Sequence, residues 1–321
     1  MTTPRRALPW TGTPLMLAPM QGVTNRVVRR LFVERVRPDV VFTEFMRVSH
    51  SATGARLSAS DLKDAKASEQ DVPLVVQLIG RDRQALIEAA REAQAAGALH
   101  LNLNLGCPAG RMNPGSGGGM LEHPEHLQEV IPALREAVAG TFSVKVRAGW
   151  DDPEQVFSLL PLFESAGVDF LVLHPRTVQQ AYTGEADHRI TARVVQATRL
   201  PVIANGDVRT AEQGRRVLAQ TGAAGLMLGR GAIADPLLFE RLRGKAPERA
   251  TPSERDAMLR STLGDLASRY GQLFSGDAHV LANLKTFLAL VSDGDEELAP
   301  AFKKLRRAKT TAQLAAALNQ L

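Results

Sequence analysis

Cysteine is almost absent from this chain of 321 residues, in which Cys107 is the one example. A single cysteine excludes an intramolecular disulfide and leaves no CxxC pair for zinc or an iron–sulfur cluster. No Cys/His/Asn protease signature accompanies it, and no glycine-rich dinucleotide fingerprint occurs elsewhere. We therefore expect no metal, and we expect any nicotinamide to bind only transiently.

Long apolar runs are missing as well. No segment approaches the ~18 apolar residues of a membrane-spanning helix. Residues 1–12 contain two arginines but no apolar core of a signal peptide. Apolar residues make up 44% of the chain and charged residues 23%, so a large core is possible and disorder is not favoured. The composition predicts a cytoplasmic globular protein with no membrane association.

Positive charge is concentrated in the last quarter of the chain. The formal net charge is +5, and residues 241–321 hold 13 Lys and Arg against 9 Asp and Glu. This excess permits a polyanionic partner, although an ordinary solvated surface explains the charge equally well.

Short apolar runs recur along the first 230 residues, and most of them are continuously apolar, as strands buried on both faces are. Eight such runs occupy residues 15–18, 39–43, 74–79, 99–105, 142–146, 170–174, 201–205 and 225–229. Helical segments separate them, with Asp82 and Thr210 as predicted N-caps and Gly97 and Gly167 as predicted stops. Eight strand–helix units predict an α/β fold, a (β/α)8 TIM barrel.

The pattern changes near residue 244. Thr251 begins a capping box with Glu254, and apolar residues then recur every three or four positions. The predicted core-facing residues of three helices are Leu259, Leu263, Leu266, Tyr270, Phe274, Leu281, Leu284, Leu288, Val291, Leu314, Leu318 and Leu321. We expect a catalytic barrel over residues 1–243 and a C-terminal all-α helical domain over residues 244–321.

Polar residues gather where the predicted strands end, which is the catalytic end of such a barrel. The seventh and eighth strands lead into Asn205-Gly206-Asp207 and Gly229-Arg230-Gly231. Loops at these two positions commonly bind phosphate through glycine backbone N–H groups. The alternative is that these glycines only form tight turns.

Four further residues near strand ends have both a chemical and a structural interpretation. Lys145 lies in an apolar strand, where its ammonium needs an acceptor such as the N1/O2 edge of a flavin, or a buried ion-pair partner. Gln77 can bind a heterocycle edge or be a satisfied core amide. His174 can contact a substrate or a cofactor phosphate, or can cap a helix. Cys107 can be reactive, because a Gly-Cys-Pro turn and the glycine-rich residues 113–119 surround it, or a small buried apolar residue.

Together these segments resemble the tRNA-dihydrouridine synthases over nearly the full length of the chain. The matching motifs are LAPMQGVT (17–24), TEF (43–45), VQL (76–78), LNLGCP (103–108), VKVR (144–147), HPRT (174–177), IANGD (203–207) and MLGRG (227–231). The resemblance lies in the whole ordered set, and no single motif is decisive.

The resemblance implies an FMN barrel in which NADPH reduces the flavin, hydride passes to C6 of a D-loop uridine, and a cysteine protonates C5. By position, Cys107 is that general acid. The implied FMN-binding residues are Pro19, Met20, Gln77, Lys145, His174, Asn205, Gly206, Asp207, Gly229 and Arg230.

The residues 43–48 and 115–119 look most like the bacterial subgroup that reduces the uridine at position 16. The resemblance then implies tRNA contacts from Arg47, Asn104, Arg147, Arg176 and Lys285. The extruded base and the phosphates predict a positively charged groove for the tRNA elbow and D-loop, and we expect a monomer. Two alternatives remain: an FMN barrel acting on a free small molecule such as dihydroorotate, and a tRNA-binding module without turnover.

Overall fold

The computed structural model of the chain describes residues 7–48, 56–66, 71–108, 115–291 and 305–319, and the structural statements below concern these residues. Nine strands are present: β1 (Leu15–Leu17), β2 (Val40–Phe42), β3 (Met46–Arg47), β4 (Leu74–Ile79), β5 (His100–Leu105), β6 (Thr141–Gly149), β7 (Phe170–Thr177), β8 (Val202–Asn205) and β9 (Gly225–Leu228). Twelve described α-helices accompany them: α1 (Arg26–Val36), α2 (Ala59–Ala65), α3 (Arg83–Ala95), α4 (Leu127–Ala137), α5 (Gln155–Ala166), α6 (His188–Ala197), α7 (Ala211–Thr221), α8 (Arg230–Ala234), α9 (Leu238–Leu242), α10 (Pro252–Leu273), α11 (Asp277–Val291) and α12 (Thr311–Leu318).

The strands form one closed parallel barrel. β1 pairs with both β2 and β9, and β2 pairs with β4, from which the ladder continues in chain order to β9. The two-residue strand β3 pairs with the same neighbour, β4, beyond the end of β2. Eight positions therefore close the ring, and the predicted (β/α)8 barrel is confirmed.

All eight predicted strands exist, but two of them are longer than expected. β6 continues to Gly149 and β7 to Thr177, with a register irregularity between Arg147 and Gly149. Arg147 and Arg176, two of the implied tRNA contacts, follow the predicted strands 142–146 and 170–174 in the sequence. They lie inside the strands instead, and both are buried.

Predicted helix ends are confirmed by specific hydrogen bonds. Asp82 caps α3 by accepting from the Ala85 amide at 2.7 Å. Thr210 and Gln213 exchange bonds at the start of α7, and Thr251 and Glu254 form the capping box of α10. These polar residues satisfy amide groups that a helix N-terminus leaves without partners, which is why sequence locates them well.

One end of the barrel interior is filled by apolar side chains. Phe170 packs edge-to-face on Trp10, with 4.7 Å between ring centroids. The inner cluster comprises Met16, Ala18, Val40, Phe42, Val75, Phe170, Val172, Ile203 and Met227, with Leu8, Trp10 and Ala224 packed against it. The N-terminal segment therefore helps to fill this end of the barrel, and we call this cluster the apolar end.

The chain divides into two compact units. The first contains Met1–Pro19, Pro38–Asp207 and Arg215–Leu228, and hence the whole barrel sheet. The second, the helical unit, contains Met20–Arg37, Val208–Gly214 and Gly229–Leu321. The division at residue 243 that sequence favours stays a prediction.

Inside the helical unit, α1 is bonded to α10. Arg35 donates to Thr262 at 2.8 Å and forms an ion pair with Asp265 at 2.6 Å. The Asn25 side chain, which caps α1, donates to the Tyr270 hydroxyl at 2.8 Å.

Most of the predicted core-facing residues of α10, α11 and α12 are buried. Phe274 is an exception, because it follows the last turn of α10 in an extended conformation and is 37% exposed. Leu321 lies outside the described residues. Within the described part of the chain, every helix is too short or too polar to cross a bilayer.

Candidate active site

A chain of buried amides crosses three neighbouring strands of the barrel. Gln77 on β4 donates to Asn102 on β5 at 2.8 Å and accepts from Asn104 on β5 at 2.8 Å. Asn102 donates in turn to Ser143 on β6 at 2.8 Å. Because successive strand residues point to opposite faces, Gln77, Asn102 and Ser143 share the inner face with the apolar end. Both polar atoms of the Gln77 side chain are therefore bonded, as expected for a satisfied core amide. These bonds fix the side chain in the barrel interior.

The cysteine turn is held by Asn104. The Oδ1 atom of Asn104 accepts from the amides of Gly106 and Cys107, both at 2.9 Å. Cys107 is partly exposed, and its carbonyl accepts from the Gly118 amide at 3.0 Å. A Cβ atom on Gly118 would lie 2.8 Å from that carbonyl oxygen. Glycine is therefore required at 118 for close packing, and residues 117–121 form a 3-10 helix there; residues 113 and 114 lie outside the described residues.

Lys145 carries the least compensated charge in this region. Its side chain makes no hydrogen bond or ion pair with any residue that the structure describes. Burial and the neighbouring charge of Arg147 lower the pKa of Lys145 to about 8, while Cys107 acts in the opposite direction. The buried ion-pair alternative therefore finds no support among the described residues, and the ammonium is available to an acceptor that the chain does not supply.

Arg147 is a buried cation that binds backbone carbonyls. Its Nε donates to the Gly106 carbonyl at 2.7 Å, and its Nη1 donates to the carbonyls of Thr177 and Ala181 at 2.8 and 2.5 Å. Burial is the main cause that lowers the pKa of Arg147. The side chain thus joins the cysteine turn to the residues that follow β7.

His174, Arg176 and Asp207 form a second buried group. Arg176 makes an ion pair with Asp207, with bonds of 2.6 and 3.1 Å, and donates to His174 Nε2 at 3.1 Å. A guanidinium can only donate, so His174 accepts at Nε2 and carries its proton on Nδ1. His174 lies within β7, so it is not a helix-capping histidine.

The ends of β8 and β9 lie side by side, as a phosphate site at these tips requires. Asn205 donates to the Met227 carbonyl at 2.9 Å. Gly206 and Asp207 have φ values of +126° and +51°, and a Cβ on Gly206 would lie 2.9 Å from the His174 ring. Gly206 is thus required both by its backbone conformation and by its neighbour.

Close approach also explains a glycine in the helical unit. A Cβ on Gly231 would lie 2.2 Å from the Val208 carbonyl. The residues that follow β8 and β9 therefore touch there. Gly229 directly precedes α8, whose first residue is Arg230.

The remaining predicted site residues are placed as follows. Pro19 follows β1, whose neighbour Ala18 donates to the Leu228 carbonyl at 2.8 Å. The Met20 amide, in the helical unit, donates to the Thr24 hydroxyl at 2.7 Å. Arg47 lies on β3 above the Phe45 ring, 5.1 Å from its centroid, and Lys285 lies on α11.

Sequence reasoning did not assign three residues that the structure adds to this region. Asn102 and Ser143 extend the amide chain, and their signal is the alternation of polar and apolar residues in 100–105 and 142–147. Tyr182 lies 5.3 Å from the Arg147 guanidinium and 6.4 Å from the His174 ring, between centroids. Nothing in the local sequence pattern distinguishes Tyr182 from an ordinary loop residue.

This end of the barrel, which we call the polar end, therefore combines fixed amides with an excess of positive charge. Lys145, Arg147 and Arg176 are brought together there, and Asp207 compensates one of them. The described residues contain no cluster of three His, Cys, Asp or Glu side chains that could hold a metal ion. The arrangement can bind an oxygen-rich heterocycle or an anion beside a partly exposed thiol.

Comparison with known proteins gives a consistent result. The family model described as dihydrouridine synthase (Dus) matches residues 16–319. The tRNA-dihydrouridine(16) synthase of Haemophilus influenzae is 33% identical over 313 residues, covering 95% of this chain and 99% of that protein. The tRNA-dihydrouridine synthase B of Pseudomonas syringae pv. tomato is 34% identical over 266 residues, covering 81% of this chain and 78% of that protein.

Among solved structures, morphinone reductase in complex with tetrahydroNAD superimposes with a TM-score of 0.54 at 16% sequence identity. The match covers 75% of this chain and 90% of that chain. At this level of identity the likeness concerns the barrel fold alone.

Proposed function

The chain belongs to the dihydrouridine synthase family, and from this premise we propose that it reduces the C5–C6 double bond of a uridine in tRNA. The observation that carries the proposal is a partly exposed thiol beside a half-buried ammonium with no partner among the described residues. Reduction of a uracil ring needs both a proton donor and a bound source of electrons, and these two groups meet those needs.

The target is the uridine at position 16 of the D-loop. Two relatives that carry this position in their names align with almost the full length of the chain: the Haemophilus protein covers 95% of it, and that of Ralstonia nicotianae 94%. A third, from Vibrio parahaemolyticus, covers 70%. The synthase B of Pseudomonas syringae covers 81%. Residues of the helical unit are therefore included in the similarity to the position-16 proteins, which supports the same choice of uridine.

FMN fits the polar end of the barrel. The Lys145 ammonium lacks a partner among the described residues, and the N1/O2 edge of a flavin supplies acceptors. Gln77 is fixed by its hydrogen bonds to Asn102 and Asn104. The residues that hold the flavin in this proposal are Pro19, Met20, Gln77, Lys145, His174, Asn205, Gly206, Asp207, Gly229 and Arg230.

The phosphate of FMN belongs at the ends of β8 and β9. Gly206 and Asp207 both have positive φ, so the chain turns directly after β8, and loops at these barrel positions commonly bind phosphate through glycine backbone N–H groups. His174 faces this region with a proton on Nδ1, since its Nε2 accepts from Arg176.

Cys107 acts as the general acid of the reaction. FMN, when bound in reduced form, would supply the hydride for uracil C6. The thiol of Cys107 donates the proton that C5 receives. A thiol is a competent proton donor near neutral pH. Asn104 holds the backbone of Cys107 in place through the amides of Gly106 and Cys107, so the sulfur is presented in a fixed turn.

NADPH is the electron donor in this proposal, and it binds transiently because the chain has no dinucleotide fingerprint. The protein acts as a cytoplasmic monomer.

Its tRNA contacts come from Arg47, Asn104, Arg147, Arg176 and Lys285. Asn104, Arg147 and Arg176 are buried, so the base that they meet has to enter the barrel, as an extruded uridine does.

The test uses the purified full-length protein. We expect a flavin absorbance spectrum and, with NADPH and an unmodified tRNA transcript, dihydrouridine at position 16 by mass-spectrometric mapping. NADH and dihydroorotate are the matched controls for the donor and for a free small-molecule substrate. A colourless protein, or one that consumes dihydroorotate but leaves tRNA unchanged, contradicts the proposal.

A further inference from the structure

Two buried arginines fix the residues on both sides of Tyr182. Arg147, from β6, donates to the Ala181 carbonyl at 2.5 Å. Arg176, from β7, donates to the Thr183 carbonyl at 3.2 Å and to the Gly184 carbonyl at 2.5 Å. The backbone before and after Tyr182 is thus bonded to two separate strands of the barrel.

The segment that carries Tyr182, residues 178–184, also has its own hydrogen bonds. The Thr177 amide donates to the Gln180 side chain at 2.7 Å, and the Gln180 amide donates to the Thr177 hydroxyl at 3.2 Å. Ala181 adopts a φ of +48°, which is unfavourable for a residue with a Cβ and persists only where surrounding contacts determine it. The backbone around Tyr182 is therefore well determined.

The Tyr182 ring nevertheless remains 57% exposed. The Arg147 guanidinium lies 5.3 Å from the ring centroid, and Arg147 itself is only 1% exposed. The other large exposed apolar side chain described in the barrel sheet's unit is Leu99, which precedes β5 and so lies at the opposite end of that strand from Cys107. An exposed aromatic ring on a fixed backbone is suited to stack on a planar ligand.

We infer that Tyr182 is a stacking platform for the nucleobase that neighbours the target uridine in tRNA; this inference rests on the proposed function. Arg147 donates to the Gly106 carbonyl and contacts the Tyr182 ring. The Arg147 side chain therefore links the Tyr182 ring to Gly106, the residue before Cys107. Extrusion of the target base removes a stacking partner from its neighbour. Tyr182 replaces that partner, and Arg147 and Arg176 act as positioning residues for it.

The variants Tyr182→Ala, Tyr182→Phe and Tyr182→Leu test this role in the full-length, flavin-loaded protein. Stacking of one base on an aromatic ring supports about a 10- to 100-fold increase in the KM for tRNA when the ring is removed. We expect that increase in Tyr182→Ala and Tyr182→Leu, with kcat changed less than KM. Tyr182→Phe keeps the ring and loses only the hydroxyl that hydrogen-bonds to Arg147, so its KM stays much closer to wild type than that of Tyr182→Ala. Leu99→Ala is the matched control for loss of an exposed apolar side chain.

A second measurement identifies the stacked base. Two tRNA transcripts, with an abasic nucleotide on the 5′ or the 3′ side of the target uridine, are compared with the intact transcript. If Tyr182 stacks on one neighbour, wild type loses affinity for one abasic transcript, and Tyr182→Ala binds that transcript and the intact one equally.

Equal KM values for Tyr182→Ala and wild type overturn the inference. So does a Tyr182→Leu variant that matches Tyr182→Phe, since volume without an aromatic face would then suffice. Failure of the proposed function gives a different result, because the wild-type protein itself then forms no dihydrouridine. The transcript-binding comparison still gives an answer about Tyr182 in that case.

Discussion

The barrel interior has two ends built from the same strands. At the apolar end, β7 contributes Phe170 and Val172, which pack with Met16, Ile203 and Met227. Further along β7 the inward residues are His174 and Arg176, which bond to each other. One strand therefore changes from apolar to ionisable inward residues over a few positions. The comparison teaches that one end stabilises the fold through packing, whereas the other places polar groups at a cost in stability.

The largest effect is expected from the thiol at the polar end. Cys107→Ala removes the proposed proton donor and should lower the rate of dihydrouridine formation by about 10²- to 10⁴-fold. Flavin content and tRNA affinity should remain near wild type, as measured by absorbance and by equilibrium binding. Unchanged turnover would remove the acid role from Cys107, and a Cys107→Ser variant gives the matched control for side-chain size.

The opposite pattern is expected at the apolar end. Phe170→Ala leaves a cavity beside Trp10 and should reduce the free energy of unfolding by about 3–5 kcal/mol. Because Phe170 belongs to the apolar cluster, the protein that remains folded should keep its turnover per bound flavin. Urea denaturation and single-turnover rates measure the two quantities, with Phe170→Leu as the milder control. A variant of normal stability but low turnover would contradict the division between the two ends.

Lys145 tests the comparison between the two ends of the barrel, because its buried ammonium lowers the free energy of unfolding of the flavin-free protein. Its pKa is lowered from 10.5 to about 8, so the ammonium is disfavoured in the folded state. That penalty, about 3 kcal/mol at most, is fully present below pH 8 and decreases as pH rises from about 8 toward 10.5.

Lys145→Met should therefore raise the melting temperature of the flavin-free protein at pH 7, and its advantage over wild type should shrink at higher pH. The same variant should lose affinity for FMN. Thermal denaturation at several pH values and flavin titration are the measurements. A less stable variant at pH 7 would show that Lys145 has a stabilising partner.

The smallest effect is expected from Asn104. Asn104→Ala leaves the amides of Gly106 and Cys107 without their acceptor, which should cost about 1–3 kcal/mol of stability and alter the alkylation rate of Cys107. Asn104→Asp keeps the acceptor oxygen but loses the bond to Gln77, so its cysteine turn should remain intact. Equal alkylation rates in wild type and Asn104→Ala would show that the turn holds without Asn104.

Much of the barrel could be predicted because local signals are strong in this chain. The eight strands follow from short apolar runs, and helix ends follow from Asp82, Thr210 and Thr251, whose partners lie within three residues. The length of β6 and β7 could not be predicted. Pairing with neighbouring strands extends them through Arg147 and Arg176, and charged residues in a strand give no sign of such burial in sequence.

The candidate site, too, has residues that the sequence could locate and contacts that it could not. The sequence places Gln77, Cys107, Lys145 and His174 near strand ends. In the structure Cys107 follows the end of β5, whereas Gln77, Lys145 and His174 lie within β4, β6 and β7. Residues 113–119 are distinguished in the sequence only by their glycines, whereas in the structure the described part packs on Cys107 with Gly118 in close contact. The role of Tyr182 as a contact of Arg147 depends on residues 35 positions apart in the chain, so no local pattern could reveal it.

The sequence by itself determined the alternation of strands and helices, the single available thiol and the polar residues at strand ends, because each depends on neighbours in the chain. The tertiary structure decided which of those polar residues find partners. Asn104 turned out to hold the cysteine turn, Arg176 to pair with Asp207, and Lys145 to have no partner among the described residues. The physical reason is that barrel closure sets which side chains share the interior, and the solvation and charge of each group follow from that enclosure.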